Sequence, residues 1–210
     1  VLKLPYGWKE VRYKDDITTY HLGTIKLASG ETKTVVACSS HRMGLAAAAA
    51  LTTKVCVCFR PTFLAMTGIA AGVVGEANLG DILVADPSWD WGSGKLTIKD
   101  GAVKFLSEPV QIPLDPEISS RIRKLALSRT CLDEIYTAWK DGTRPPHDLQ
   151  LRIGPIASGA VVLEDPATVE LIRTQNRKTI GIEMEAFGVM SASFYAGKNR
   201  PRTVVIKSVC

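Results

Sequence analysis

Apolar and polar positions alternate along Tyr20 to Ala28 and again along Thr32 to Ser39, with the turn-type sequence Ala28-Ser29-Gly30-Glu31 between them, which predicts a β-hairpin. The preceding Val1 to Lys14 is polar and aromatic by turns. Leu45 to Thr53 is an alanine-rich run with the composition of a closely packed helix. Phe63 to Thr67 reads as a buried strand running into Gly68-Ile69-Ala70-Ala71-Gly72, expected to be a small-residue loop whose backbone can approach a ligand. Asn78-Leu79-Gly80-Asp81 has turn chemistry, and Ile82 to Ala85 predicts a strand that ends at Asp86-Pro87.

Farther along, Ser88 to Lys95 holds two Trp and two Gly, too many for a regular element, so Trp89 and Trp91 are expected in a packed loop, with an interface or lid as the alternative. Leu96 to Leu106 predicts a second hairpin. Between Pro113 and Lys140, Ile118, Ile122, Leu125, Leu132, Tyr136 and Trp139 follow three-four spacing, which predicts one helix capped by Asp115 with Pro116 in its first turn. Leu151 to Ile156 and Ala160 to Leu163 read as strands around Ser158-Gly159, and Pro166 to Arg173 as a short helix. The chain then offers a strand over Lys178 to Ile182, a helix from Glu185 to Ala196 stopped by Gly197, and a strand over Thr203 to Ser208. Strands alternating with helices place the chain in the α/β class with a mixed sheet.

Composition narrows the class without changing it. With 210 residues, 46% of them hydrophobic and 22% charged, the chain has the makings of one globular domain with a sizeable core. The net charge of +5 comes from scattered Lys and Arg with no basic block interleaved with aromatics, so it points to phosphate-bearing ligands and not to nucleic acid. Cys38, Cys56, Cys58, Cys131 and Cys210 lack metal-type pairing and read as reduced thiols of a cytoplasmic protein, so neither a metal nor a cofactor is expected. No signal peptide and no apolar run of about 18 residues is present, so no membrane partner is expected.

Candidate chemistry gathers at Gly181-Ile182-Glu183-Met184-Glu185-Ala186-Phe187-Gly188, where two carboxylates flank a Met at a strand-to-helix transition. A carboxylate placed there is costly to bury unless something hydrogen-bonds it. The small-residue stretches Gly68 to Gly72 and Ser158-Gly159 fit the placement of ligands at strand ends in α/β sheets.

Taken in order, Thr67-Gly68-Ile69-Ala70-Ala71-Gly72, Asn78 to Asp86, Ser158-Gly159 and Ile182-Glu183-Met184-Glu185-Ala186 resemble the purine nucleoside phosphorylase and nucleosidase superfamily, in particular the methylthioadenosine/S-adenosylhomocysteine and AMP nucleosidases. The resemblance implies a three-layer αβα sandwich with a central mixed β-sheet. It also implies cleavage of the N-glycosidic bond of an adenine nucleoside or nucleotide through an oxocarbenium-like transition state. Glu185 would accept the 2′ and 3′ ribose hydroxyls, with a helix-start carboxylate as the alternative, and Met184 would pack under the sugar. Glu183 stays open between site and scaffold.

The resemblance places the base near Val162 and Leu163, which are equally suited to plain core. Ile69, Ala70, Ala71 and Gly72 would line the substrate, with Ile69 standing where the nucleosidases carry a hydroxyl that helps hold water. His41 and Arg42 would face the 5′ end or a phosphate, which Arg can bind bidentately. A hydrogen-bonded loop histidine and a surface arginine are the bland alternatives. Met43 would line the 5′ side or simply pack, and Lys207 matches a basic position that supports the catalytic carboxylates.

The resemblance further implies a general-acid Asp directly after Cys210 and a water-activating Glu on a strand ahead of Val1. The expectation is thus a nucleoside phosphorylase-like domain over 1–210, without its first strand and everything after its last. A homo-oligomer, dimer or hexamer, and fusion to further domains are also expected. A non-catalytic nucleotide-binding module of a larger protein and a phosphate-dependent phosphorylase remain the alternatives.

Overall fold

The computed structural model describes residues 2–140, 142–161 and 165–210. The chain forms two compact units, 1–42 and 43–210. In the first, β1 (Lys9–Val11), β2 (Tyr20–Lys26) and β3 (Thr32–Cys38) make an antiparallel sheet in that order. The expected hairpin is β2 with β3, in register from Tyr20 opposite Cys38 to Lys26 opposite Thr32. Tyr20 is fully buried, and its hydroxyl donates to Asp16 at 2.8 Å. Burial, reinforced by that carboxylate, pushes the Tyr20 phenol up to about 12.

The second unit runs α1 (Leu45–Phe59), β4 (Phe63–Gly72), β5 (Ile82–Asp90), β6 (Gly94–Lys99), β7 (Ala102–Ser107), β8 (Gln111–Ile112), α2 (Pro116–Ala126), α3 (Thr130–Thr137), β9 (Leu151–Ser158), α4 (Pro166–Gln175), β10 (Gly181–Glu183), α5 (Ala186–Phe194) and β11 (Arg202–Val209). Its central sheet has the order β11-β4-β10-β9-β5-β8 and is mixed, as expected. β11 also pairs antiparallel with β5, Lys207 opposite Leu83, so five of the strands close into a ring.

Alternation along these strands sends successive side chains to opposite faces. Leu83, Ala85, Ile156, Val205 and Val209 meet Ala186, Val189 and Met190 of α5. The intervening Val84, Ile153, Val204 and Ile206 meet Ile118 and Ile122 of α2. Helices therefore cover both faces.

Several elements differ from the pattern-based expectation. Gly68 to Gly72 is strand and not loop, because β4 is paired with β11 as far as Ala70 and with β10 at Ala71 and Gly72. Small residues are needed there for close packing: a side chain on Gly72 would meet Val209 Cγ1 at 2.8 Å. β5 passes through Asp86-Pro87 with a register shift between Ala85 and Ser88, and fully buried Trp89 joins Ala157, Ile172 and Ile182 in a core cluster. Ser88 to Asp90 is thus strand.

The predicted helix over Pro113 to Lys140 is two helices, α2 and α3. Asp115 caps the first through the N–H groups of Glu117 and Ile118, and the chain breaks over 127–129. Leu125 is 43% exposed, so the apolar spacing is not one continuous buried face. β9 extends to Ser158, Ala160 lies outside any strand, and Val162 and Leu163 fall outside the described residues.

Asp81 anchors the start of β5. Its fully buried carboxylate accepts from Arg152 Nε at 2.6 Å and from the N–H groups of Asn78 at 3.0 Å and Gln150 at 2.9 Å. Burial alone would raise its pKa. The Arg152 hydrogen bond and charge, with the two backbone donors, hold it below the ordinary 3.8.

Candidate functional site

Three strands bring polar side chains to the start of α5: Ser158 at the end of β9, Glu183 at the end of β10, and Lys207 on β11. Ser158 shares a strand face with Ile156, and Lys207 with Val205 and Val209, all in the core cluster that packs on α5. The register sets Ser158 opposite Glu183, and Lys207 opposite Gly68.

Glu183 is buried with its hydrogen-bonding capacity used internally. It accepts from the N–H of Glu185 at 2.8 Å, from the N–H of Ala186 at 2.9 and 3.0 Å, and from the Ser158 hydroxyl. Ser158 Oγ in turn accepts the N–H of Phe187 at 2.9 Å. Between them these two side chains satisfy the first free N–H groups of α5, which would otherwise be buried donors without acceptors. A negative charge is also favoured at a helix N-terminus. Lys207 Nζ lies 2.8 Å from Glu183 Oε2.

Glu185 forms the other half of the arrangement. Its Oε2 lies 3.1 Å from Lys207 Nζ, and its Oε1 accepts the N–H of Gly44 at 3.1 Å. Its side chain keeps 19% exposure, against 2% for Lys207 and Glu183. Both carboxylates reach Lys207, Glu183 from the end of β10 and Glu185 from the N-cap of α5. A partly open carboxylate with one donor fixed on each oxygen can accept hydrogen bonds from vicinal hydroxyls with its remaining lone pairs.

The structure thus brings Glu183, Met184, Glu185 and Lys207 together, with Met184 half-buried. Ala70 is buried, and its carbonyl accepts the N–H of Cys210 at 3.2 Å. Ile69 is 65% exposed, and alternation turns it to the strand face opposite Gly68 and Ala70. Ala71 and Gly72 are strand-paired with Ile182 and Gly181. Met43 is 73% exposed. His41 and Arg42 are exposed residues of the N-terminal unit, and His41 Nε2 lies 3.2 Å from the Ile17 carbonyl.

Sequence reasoning did not identify Ser158 as the hydroxyl holding Glu183, nor Gly44 as the donor to Glu185. It also missed Gly68 as the space for Lys207, where an added side chain would meet Nζ at 3.2 Å. The one sequence signal for the last is a glycine inside a strand pattern, which marks a close approach.

The profile of the Phosphorylase superfamily matches residues 6–209. An uncharacterized protein, y4jS, of Sinorhizobium fredii is 34% identical over 202 residues, covering 96% of this chain and 48% of that protein. ATP nucleosidase Cap17 of Escherichia coli is 27% identical over 158 residues, covering 69% of this chain and 30% of its own length. A 5'-methylthioadenosine/S-adenosylhomocysteine nucleosidase of Geobacillus thermodenitrificans is 25% identical over 131 residues, covering 62% of this chain and 48% of that protein. The chain therefore spans half or less of the length of these curated relatives. Among solved structures, futalosine hydrolase of Helicobacter pylori superposes with a TM-score of 0.72 at 18% identity, over 100% of this chain and 80% of that one.

Proposed function

The chain belongs to the Phosphorylase superfamily, and on that premise we propose that it is the catalytic domain of a purine nucleosidase, hydrolysing the N-glycosidic bond of an adenine nucleoside or nucleotide to free base and a ribosyl product. The observation that carries this reading is the state of Glu185. Its carboxylate is oriented through both oxygens, by Gly44 N–H and by Lys207, and is still partly open.

Loss of the base leaves positive charge on the ribosyl ring. A fixed carboxylate at the 2′ and 3′ hydroxyls is complementary to that charge and needs no reorganisation as it develops. Met184 supplies an apolar, adaptable surface beside it. Glu183, with Ser158 and the α5 N–H groups occupying it, serves as the scaffold that holds the start of α5 and, through Lys207, the angle of Glu185.

Adenine is favoured because the names of two relatives, the ATP nucleosidase and the methylthioadenosine/S-adenosylhomocysteine nucleosidase, share that base. The test is to incubate the full-length protein with AMP, ATP, adenosine, methylthioadenosine and inosine, with and without phosphate, and to follow free base by chromatography. Phosphate-independent release of adenine is the expected result. A strict phosphate requirement would make it a phosphorylase, and binding of these compounds without any release would make it a nucleotide-binding module.

A further inference from the structure

We propose that Gly188 is a positioning residue for Glu185, acting through a backbone contact between α5 and α1. An added Cβ at Gly188 would meet the Leu45 carbonyl oxygen at 2.4 Å, with Leu45 C and Cα each at 3.1 Å. The two helices therefore touch main chain to main chain, with no side-chain end that could swing aside.

Leu45 directly follows Gly44, whose carbonyl accepts the Ala48 N–H at 3.1 Å to open α1 while its own N–H is free of the helix and donates to Glu185 Oε1. Gly44 has φ of 104°, a conformation that L side chains rarely adopt, and this turns its N–H away from the path of α1. Gly188 lies on α5 one turn beyond Glu185. The absence of a side chain at 188 thus sets the distance across which the Gly44 N–H reaches the carboxylate one turn earlier. The interior is close-packed, so a methyl group there moves the start of α1 as a body. A hydrogen bond already at 3.1 Å does not survive much lengthening.

The inference rests on the assignment of Glu185 to the ribose, and the test separates the two. Gly188→Ala is compared with Val189→Ala, a neighbouring core position on α5 whose truncation destabilises the same helix by opening a cavity without adding an atom against the α1 backbone. Base release is measured as kcat and KM, and the Gly44 amide is followed by hydrogen exchange and by its chemical shift in glycine-labelled protein. Gly188→Ala is expected to lower kcat about tenfold or more with KM within about twofold. Its Gly44 amide should lose protection and shift toward the position it takes in Glu185→Ala. Val189→Ala should lower the melting temperature and leave kcat and the Gly44 amide near wild type.

Should Gly188→Ala fail to fold, Gly44→Ala reads the same donor from the other side. Its Cβ has open space, so only the φ that aims the N–H is disturbed. Wild-type kcat and an unmoved Gly44 amide in Gly188→Ala, or wild-type kcat in Gly44→Ala, overturn the proposal, as does an equal kcat loss in Val189→Ala. If wild-type protein releases no base, the nucleosidase reading has failed, and the amide signal alone still decides whether Gly188 positions the donor.

Discussion

Lys207 Nζ sits 2.8 Å from Glu183 Oε2 with both side chains 2% exposed, and the same ammonium reaches Glu185 at 3.1 Å. One buried cation thus serves two carboxylates. Replacing it with a neutral chain of similar length leaves both without their counter-charge.

Lys207→Met is expected to cost about 3–5 kcal/mol, the usual penalty for removing one member of a buried ion pair. Urea unfolding at neutral pH measures it. A cost below about 1 kcal/mol, the level of an exposed pair, would show that Lys207 is not the counter-charge of this site.

Glu185→Gln keeps the shape of the side chain and an oxygen for the Gly44 N–H, so the fold should be retained. The charge complementary to the ribosyl cation is lost, and kcat for base release should fall by about a hundredfold with a smaller change in KM. Steady-state kinetics decides, and an unchanged kcat removes Glu185 from its assigned role.

Ser158→Ala takes away the hydroxyl that joins Glu183 to the Phe187 N–H, leaving a donor at the start of α5 without its partner. The expected loss is about 1–3 kcal/mol. Thermal unfolding reads it, and a melting temperature equal to wild type would count against the capping arrangement.

Asp81 makes stability depend on acid. Its folded pKa lies below the ordinary 3.8, so the stabilisation from its ionised form is fully present above that value and is lost as pH falls through the folded pKa. Asp81→Asn should therefore destabilise the protein at neutral pH by about 3 kcal/mol, at the low end for a buried pair because Arg152 is partly exposed. The gap to wild type should narrow as unfolding is followed down toward about pH 2. A gap independent of pH would mean that the carboxylate's charge is not what Arg152 and the two backbone N–H groups hold.

Much of this molecule was legible in its residue pattern. The β2–β3 hairpin and the Asp115 cap with Pro at the following position follow from local chemistry, since each depends on residues within a few positions. The motif order was equally local, and it led to the family through Glu183-Met184-Glu185 and the stretches before it. Where Gly68 to Gly72 was misread as a loop, the deciding facts were distant. Val209 and Lys207 occupy the space those residues leave open, and β11 supplies the hydrogen bonds that make the stretch a strand.

The same division separates the two carboxylates. The sequence by itself determined that Glu183 and Glu185 stand at a strand-to-helix junction, because turn chemistry and apolar periodicity are properties of neighbouring residues. Only the tertiary structure decided which is buried and which stays partly open. That depends on Ser158, Lys207 and Gly44, which lie 25, 24 and 141 residues away along the chain from the carboxylates they bond and meet them only when the strands close and α1 packs on α5. A hydrogen bond of 3.1 Å between Gly44 and Glu185 is a statement about packing distance, and no run of neighbouring residues encodes it.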